Sequence, residues 1–591
     1  MRKNKGTAGA MLEVFRKLLR YGRKQVPRLI MVLLLAAASA FLTIIGPDYI
    51  SRMTQIITDG LTTSIDLSAV AKIGSFLAGI YILSAVFGFF ENRMASTATL
   101  RVSNHLRSQI SQKINRVPMP LFQRMSSGDI LSRMTNDVQL LSQTMSNSLP
   151  TIVAAAAQFV GCTVMMFTTE WRMSLVAIAA TMLGFFLMGR ITASSQKYFV
   201  AQQTSLGNLN GYVEEMYSGH SVIRISRAER SVRQEFERLN EAVFQANRKA
   251  QFLSGVMQPL MTFVGNLGYV AVCIYGSVLA MNGTIGFGTI VAFILYVRLF
   301  TAPLSQMAQG MTQLQTAAAA GRRVFSFLEE EELEDEQHKR QSLTPVKGKV
   351  EFSHVRFAYP NNPGKTIIQD FSATVQPGQK VAIVGPTGAG KSTLVNLLMR
   401  FFEINGGQIR IDGVSTKELS REAIHDLFAM VLQDTWLFQG TLRENLVYNK
   451  ENVPDDTLEK ACCACGLGDF VASLPQGFDT ELSENLSISA GQKQLITIAR
   501  AMIQNRPMLI LDEATSSVDT RTELITQHAM DALCRDRTSF VIAHRLSTIK
   551  NADLILVLKD GNVIEQGSHE ALLAKGGFYA DLYNSQFEKT A

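Results

Sequence analysis

The chain changes its hydrophobic rhythm near residue 349. Before it, apolar residues run in long uncharged stretches; after it, they form short runs between turn residues. The first such stretch, Leu29 to Pro47, carries no charge. Runs of roughly 20 residues are what a bilayer requires of a spanning helix. The pattern predicts six spans: Leu29 to Ile50, Ile73 to Phe90, Leu149 to Thr168, Met173 to Met188, Leu253 to Met281 and Thr289 to Leu304. A cleaved signal peptide would explain the first run alone. It lacks a convincing small-residue cleavage pattern, and further apolar runs follow.

The intervals between spans carry as much information. Spans three and four are separated only by Thr169-Glu170-Trp171-Arg172, and spans five and six by Asn282 to Gly288. The other intervals, 91–148 and 189–252, are long, polar and helical in pattern. Arg2, Lys3, Lys5, Arg16, Lys17, Arg20, Arg23, Lys24 and Arg28 crowd the segment before the first span. This positive-inside pattern places the N-terminus in the cytosol. The short turns then face outward, and the membrane helices continue into the cytosol. Two cytosolic stretches mix helix breakers with apolar and acidic residues, as a docking contact or an ordinary bend would: Val117 to Phe122, leading into Ser127 to Asp137, and Gly211 to Gly219. The acidic run Glu329 to Glu336 reads as a solvated linker. Pro345 and Gly348 mark a boundary. The expected organisation is 1–28 cytosolic segment, 29–328 membrane domain, 329–348 linker and 349–591 soluble domain.

In the second half, Lys349 to Phe357 and Phe371 to Val375 read as antiparallel strands. Lys380 to Val384, Pro507 to Asp512 and Ser539 to Ala543 read as buried strands of an α/β core. Val381-Ala382-Ile383-Val384 leads into Gly385-Pro386-Thr387-Gly388-Ala389-Gly390-Lys391-Ser392, and Thr393 to Arg400 reads as a helix. That is the phosphate-binding loop G-x-x-x-x-G-K-S in its strand–loop–helix setting. Its backbone N–H groups and helix N-terminus suit phosphate. Lys391 suits the β- and γ-phosphates, and the Ser392 hydroxyl suits Mg²⁺. The apolar strand Met508 to Leu511 ends in Asp512, fitted to hold Mg²⁺ through water, and Glu513, fitted to polarise an attacking water. Tyr359 closes the first strand region, where an aromatic ring could stack on adenine.

Composition adds little that these patterns leave open. A net charge of +7 could signal nucleic acid, but no basic stripe interleaved with aromatics accompanies it; a nucleic-acid partner is not expected. Cys462, Cys463 and Cys465 lack a second ligand pair at zinc spacing and are expected to be buried helix residues. With Cys162, Cys273 and Cys534 they imply no disulfide framework.

Between the phosphate loop and Asp512 stands Ile488-Ser489-Ala490-Gly491-Gln492-Lys493-Gln494. It resembles the L-S-G-G-Q signature of the ATP-binding cassette transporters. Gln433 matches the Q-loop, Ser516 to Asp519 the D-loop, His544 the switch histidine and Tyr359 the adenine-stacking aromatic. The resemblance covers nearly the whole chain, with the membrane domain preceding the nucleotide domain. It implies an α-helical polytopic membrane domain of the six-helix exporter fold, joined to an α/β P-loop cassette. ATP and Mg²⁺ are the implied cofactors. Glu513, His544, Gln433 and Lys391 would be catalytic. Tyr359, Gly385 to Thr393 (Pro386, Thr387, Gly388, Ala389, Gly390, Lys391 and Ser392 between them), Ser489, Gly491, Gln492 and Asp519 would hold nucleotide. Ser392, Gln433 and Asp512 would hold the metal. The two cytosolic stretches would be coupling helices, one of them reaching the opposite cassette.

The resemblance also implies a second half-transporter, with Ser489 and Gly491 acting on the partner's ATP. Here the signature has Ile488 for leucine and Ala490 for the first glycine, and the added Cβ can crowd a close backbone approach. Thr480 to Asn485 replaces the usual T-x-V-G-E-x-G and stands one residue closer to the signature. Such departures resemble one member of the bacterial heterodimeric exporters, which implies a heterodimer over a homodimer, with the competent site on this chain's own phosphate loop and the altered signature facing the partner's weaker site. The implied function is ATP-driven export of hydrophobic or amphipathic compounds across the cytoplasmic membrane; a lipid flippase or a sensing ATPase are the alternatives. The lack of a preceding peptidase domain argues against an exporter that trims peptide cargo. Met165, Met166, Phe167, Met257, Met261 and Phe263 suit either packing or an adaptable apolar pocket. Arg298, in the last span, is the candidate cavity or anion contact, with pairing to a carboxylate on another helix as the alternative.

Overall fold

The computed structural model describes residues 7–61, 64–433, 435–482, 488–512, 520–543 and 546–587. The chain forms two compact units, one of residues 1–115 and 128–330 and the other of 116–127 and 331–591.

The first unit is helical throughout. An amphipathic helix, α1 (Thr7–Tyr21), precedes α2 (Val26–Gly60) and α3 (Leu67–Ile114). α1 buries Val14 and Leu18 while Leu12 and Leu19 stay exposed. Pro27 sits in the first turn of α2, where a missing N–H costs nothing. Asp66 caps α3 by accepting from the Ala69 N–H at 3.0 Å. After α4 (Met119–Arg124), which belongs to the second unit, α5 (Ser127–Ser132) and α6 (Val138–Gln143) lead to α7 (Leu149–Thr169) through two π-helical turns, Arg133–Asp137 and Thr144–Ser148. Glu170 alone separates α7 from α8 (Trp171–Ser218) and caps the latter. A short α9 (His220–Ile225) joins α8 to α10 (Glu229–Met281), and α11 (Phe287–Leu328) closes the unit.

Six helices are long and apolar enough to cross a membrane, and they contain the six predicted spans. α3, α8, α10 and α11 each run at least 42 residues, twice what a bilayer core needs. The surface is inverted relative to a water-soluble protein: Leu34, Phe186 and Ile274 are each at least 60% exposed. Small and aromatic side chains hold the inside. Tyr296 and Phe293 lie edge to face, 6.1 Å apart, among the buried Cys162, Met166 and Met173. The second cytosolic stretch differs from expectation. Residues 211–218 are still within α8, and the break falls at Gly219. A polar surface leaves the helical period uninterrupted up to that glycine.

The second unit carries two sheets. β1 (Val350–Ala358), β2 (Thr366–Val375), β4 (Gly406–Ile411) and β5 (Val414–Ser415) form an antiparallel sheet in the order β2-β1-β4-β5. β3 (Lys380–Val384), β6 (Phe428–Val431), β7 (Met508–Asp512), β8 (Thr538–Ile542), β9 (Leu554–Lys559) and β10 (Asn562–Gly567) form the other, in the order β10-β9-β3-β8-β7-β6. Strands β9, β3, β8, β7 and β6 are mutually parallel. Their continuous apolar runs follow, because a parallel sheet is covered on both faces. α12 (Lys391–Leu398) follows the phosphate loop and begins two residues before the expected start. α13 (Arg421–His425), α14 (Leu442–Val447), α15 (Asp455–Ala464), α16 (Gly468–Ser473) and α17 (Ala490–Gln504) fill the interval to β7.

Two expectations fail here. The acidic run is not solvated to its end: Glu336 is buried against Arg400 (3.0 Å), Arg421 (2.6 Å) and Lys339 (3.0 Å). Burial alone would raise its carboxyl. The Arg421 backbone N–H, Lys339 and the two guanidinium charges outweigh that and hold it below the ordinary glutamate value. Residues 339–342 also run beside 418–420, with Arg340 N–H donating to Glu418 C=O and Ser420 N–H to Arg340 C=O. The cysteine group is only partly internal. Cys462 and Cys465 are buried, with thiols pushed up to about 12 by burial. Cys463 is exposed on the outer face of α15.

Candidate nucleotide site

The site is assembled by strand register. Ile383 of β3 lies opposite Ile542 of β8, which lies opposite Asp512 of β7. Val431 of β6 lies opposite Leu511. The phosphate loop after β3, Asp512 at the tip of β7 and Gln433 just past β6 therefore share the carboxyl edge of one parallel sheet. Ligands of open α/β sheets bind at this edge.

The loop backbone explains its sequence. Gly388 and Gly390 hold φ of 84° and 100°, conformations closed to most L-residues. An added Cβ at Gly390 would lie 2.7 Å from Ile368 Cδ1 of β2. Gly385 passes so close to the Leu558 carbonyl of β9 that a side chain has no room. Ala389 is buried, whereas Pro386, Thr387 and Gly388 line the open side.

Lys391 is 9% exposed, and its Nζ donates to the Gly385 carbonyl (2.7 Å) and the Pro386 carbonyl (3.1 Å). Burial pushes its ammonium below the ordinary lysine value, and the Asp512 carboxylate pulls the other way. A desolvated cation whose hydrogen bonds go to neutral carbonyls favours a polyanion that can replace them. Ser392 is exposed beside it, while Thr393 is buried and its Oγ1 lies 3.0 Å from the Tyr359 hydroxyl. Tyr359 packs edge-on against Phe357 (4.9 Å) and Phe402 (5.2 Å). This donor set, one hydroxyl, one amide and one carboxylate on a single edge, suits Mg²⁺, which takes oxygen ligands and keeps several waters.

The signature residues form a separate element. Ser489 is the N-cap of α17: its Oγ accepts from Gln492 N–H at 3.1 Å, and Gln492 Oε1 accepts from Ser489 N–H at 2.9 Å. This reciprocal capping box fixes the helix start. Gly491 is buried, and Ser489 and Ala490 are exposed. Because its oxygen accepts from the backbone, the Ser489 hydroxyl proton stays available to donate outward. Among the described residues no hydrogen bond joins Ser489, Gly491 or Gln492 to the phosphate loop. Glu513, Asp519 and His544 lie outside the described residues.

Two features escaped the sequence reading, and a third, the first cytosolic stretch, was expected as a coupling helix without named partners. Phe402 steadies Tyr359 from beyond α12. The first cytosolic stretch is part of this unit: Arg124 Nε donates to Asn361 Oδ1 (2.8 Å), and Leu333 N–H donates to the Arg116 carbonyl (2.8 Å). Pro118 and Pro120 share a cavity of about 650 Å³ with Phe401, Phe402 and Arg356. Past Gln433, Phe438 stacks on Tyr448 (5.1 Å) with the Arg500 guanidinium over both rings, beside an exposed Trp436. The prolines were visible as punctuation, but their partners lie far along the chain.

Comparison with known proteins agrees with this arrangement. Residues 29–304 match the family described as ABC transporter transmembrane region, and residues 368–516 match the ABC transporter family. The chain is 43% identical over 533 residues to a fatty acid ABC transporter ATP-binding/permease protein of Mycobacterium tuberculosis, covering 90% of this chain and 83% of the relative. It is 38% identical over 589 residues to the ABC transporter ATP-binding protein YfiC of Bacillus subtilis, covering 99% and 96%. It is 33% identical over 511 residues to an ATP-dependent lipid A-core flippase of Sodalis glossinidius, covering 86% and 87%.

Proposed function

This chain belongs to the ABC transporters, with its membrane region and its ATP-hydrolysing domain on one polypeptide, and we propose that it is one half of an exporter of lipid-like amphiphiles with an acidic head. ATP hydrolysis at the cassette drives transport across the membrane. The direction, the cargo and the residue roles are our reading.

The observation that carries the cargo class is the setting of Arg298. It lines a cavity of about 630 Å³ between α10 and α11, with Asn266, Tyr269, Thr262, Thr301 and Ser305. Among the described residues Arg298 makes no ion pair. A cation in a span is costly unless something anionic meets it. Ile294 and Val297 add apolar surface to the same cavity. The names of the fatty acid and lipid A relatives support the same class.

In this reading Lys391 and the loop N–H groups bind the β- and γ-phosphates. Tyr359 stacks on adenine. Ser392, Gln433 and Asp512 hold Mg²⁺, whose charge offsets that of the phosphates. Glu513 orients the attacking water, with His544 and Asp519 completing the site. Ser489, Gly491 and Gln492 act on the ATP of a second half-transporter, and the Ile488 and Ala490 departures favour a different chain as that partner. Two apolar residues of α9, Val222 and Ile225, are 64% and 84% exposed, which suits docking on the partner's cassette. The N-terminus and cassette lie in the cytosol.

The test is Mg²⁺-dependent ATPase activity of the purified chain in proteoliposomes, with and without added fatty acids and neutral amphiphiles. Fatty acids should stimulate turnover and move across the bilayer with ATP. Arg298→Gln should raise the KM for the acids while leaving neutral compounds alone. Stimulation without vectorial movement would favour a sensing ATPase. A silent preparation that recovers activity with a second half-transporter would establish the heterodimer.

A further inference from the structure

A basic hollow lies where α1 meets the first span. Residues 22–25 turn the chain from α1 into α2. Gly22 crosses α3 closely: an added Cβ there would lie 3.1 Å from the Val102 side chain. Beside the crossing, Tyr21, Arg23, Lys24, Arg101, Val102 and His105 line a cavity of about 520 Å³. That is within the range of small-molecule sites. An adjoining hollow of about 440 Å³ shares Tyr21 and His105 and adds Lys17 and Arg20.

The charge here is unbalanced. Lys17 is taken by Glu329 at 2.6 Å and Glu13 at 3.5 Å. Among the described residues, Arg20, Arg23, Lys24 and Arg101 have no carboxylate partner. Three unpaired cations around the first hollow, with Arg20 at the adjoining one, leave a standing positive potential.

The depth of the hollow identifies its occupant. α2 and α3 are held in register by Ser39 and Ser84, whose hydroxyls lie 2.9 Å apart. Arg23 precedes the uncharged run at Leu29 by six positions, about 9 Å along a helix. A headgroup layer extends roughly 5–8 Å beyond the hydrocarbon on each side, and arginine and lysine stems extend that reach. Toward the uncharged run, Ile30 and Leu34 are exposed about 8 and 14 Å beyond Gln25 along α2, and exposed Leu100 immediately precedes Arg101.

We propose that this hollow binds the phosphate headgroup of an anionic lipid from the cytosolic leaflet, with Arg23, Lys24 and Arg101 as its ligands. The placement rests on the cytosolic N-terminus proposed above; the site is distinct from the Arg298 cavity. Phosphate is the shared chemistry of a lipid headgroup and a free anion. The apolar flank favours the lipid.

The test is native mass spectrometry of the full chain in neutral detergent, titrated with phosphatidylglycerol or phosphatidylcholine. One phosphatidylglycerol should be retained in preference to phosphatidylcholine. Arg23→Gln/Lys24→Gln/Arg101→Gln should weaken it on the order of 100-fold. Arg23→Lys/Arg101→Lys should restore most of the affinity. Arg230→Gln/Arg233→Gln/Arg238→Gln, which removes equal charge from α10, should leave it within about twofold. Equal loss in both triple variants, or equal retention of the two lipids, overturns the proposal. Displacement by millimolar inorganic phosphate or glycerol 3-phosphate would overturn the lipid assignment, because a free anion would then suffice. An ATP-binding titration of each variant confirms a folded cassette.

Discussion

The phosphate loop and the start of α17 are both glycine-containing turns feeding a helix, yet they are built oppositely. The loop turns inward. Lys391 is buried, its ammonium is held by Gly385 and Pro386, and Gly390 is pressed against β2. The start of α17 faces out, with Ser489 exposed and braced by its capping box with Gln492. One element completes its polar contacts within its own chain and, in the proposed function, would exchange them for phosphate. The other holds an exposed, preformed donor that in the same proposal would serve the partner's nucleotide. Substitutions in the loop should therefore act on nucleotide held by the same chain, and substitutions at Ser489 on nucleotide held by the partner.

The sharpest break concerns chemistry at the loop's own site. Glu513→Gln should bind ATP normally and lose roughly 10²–10⁴-fold in turnover. Unchanged hydrolysis in single-turnover assays would remove Glu513 from the catalytic role. Next, Lys391→Ala should weaken ATP binding on the order of 10–100-fold, read by titration on the purified chain. Full retained affinity would mean that the buried ammonium serves packing alone. Ser489→Ala should leave that titration unchanged and lower turnover of the assembled dimer by about tenfold. It should also cost about 1 kcal/mol of stability through the lost cap, whereas Ser489→Thr should keep both. Loss of this chain's own ATP affinity would erase the distinction drawn above.

The smallest effect is on the linker. Glu336→Gln should lower the melting temperature of the cassette by a few degrees at neutral pH. The folded carboxyl lies below its unfolded value. Its contribution is therefore present above the unfolded glutamate pKa and is lost as pH falls through the folded one. The difference between wild type and variant should begin to narrow as pH falls past the ordinary glutamate value and shrink steadily below it. A constant difference at every pH would assign the effect to packing.

What could be read in advance follows from the range of the forces involved. Spans and buried strands announce themselves through runs of neighbouring residues, so the presence of six spans was legible, and β3, β7 and β8 to within a position. The phosphate loop was legible because its glycines, lysine and serine are contiguous. Glu336 was misread because its partners Arg400 and Arg421 stand far along the chain, the latter 85 residues away. Cys463 was misread because burial on a short helix depends on which face meets α17. The limits of α9 were missed because only Gly219, one of several glycines in that polar stretch, ends the helix.

α10 is 53 residues long, about 80 Å. Pro259 sits within it and removes one rung from its hydrogen-bond ladder. The portion before Pro259 spans about 45 Å. It is yoked to α8, with Tyr212 Oη donating to the Val232 carbonyl and Gln202 to Asn247. In the proposed transport cycle such a rod would act as a crank. A swing of about 7° at the proline carries its far end about 5.4 Å, one full helical pitch. An angular change too slight to disturb packing inside the bilayer thus becomes, at the tip bearing α9, a displacement large enough to exchange one set of side-chain neighbours for the next.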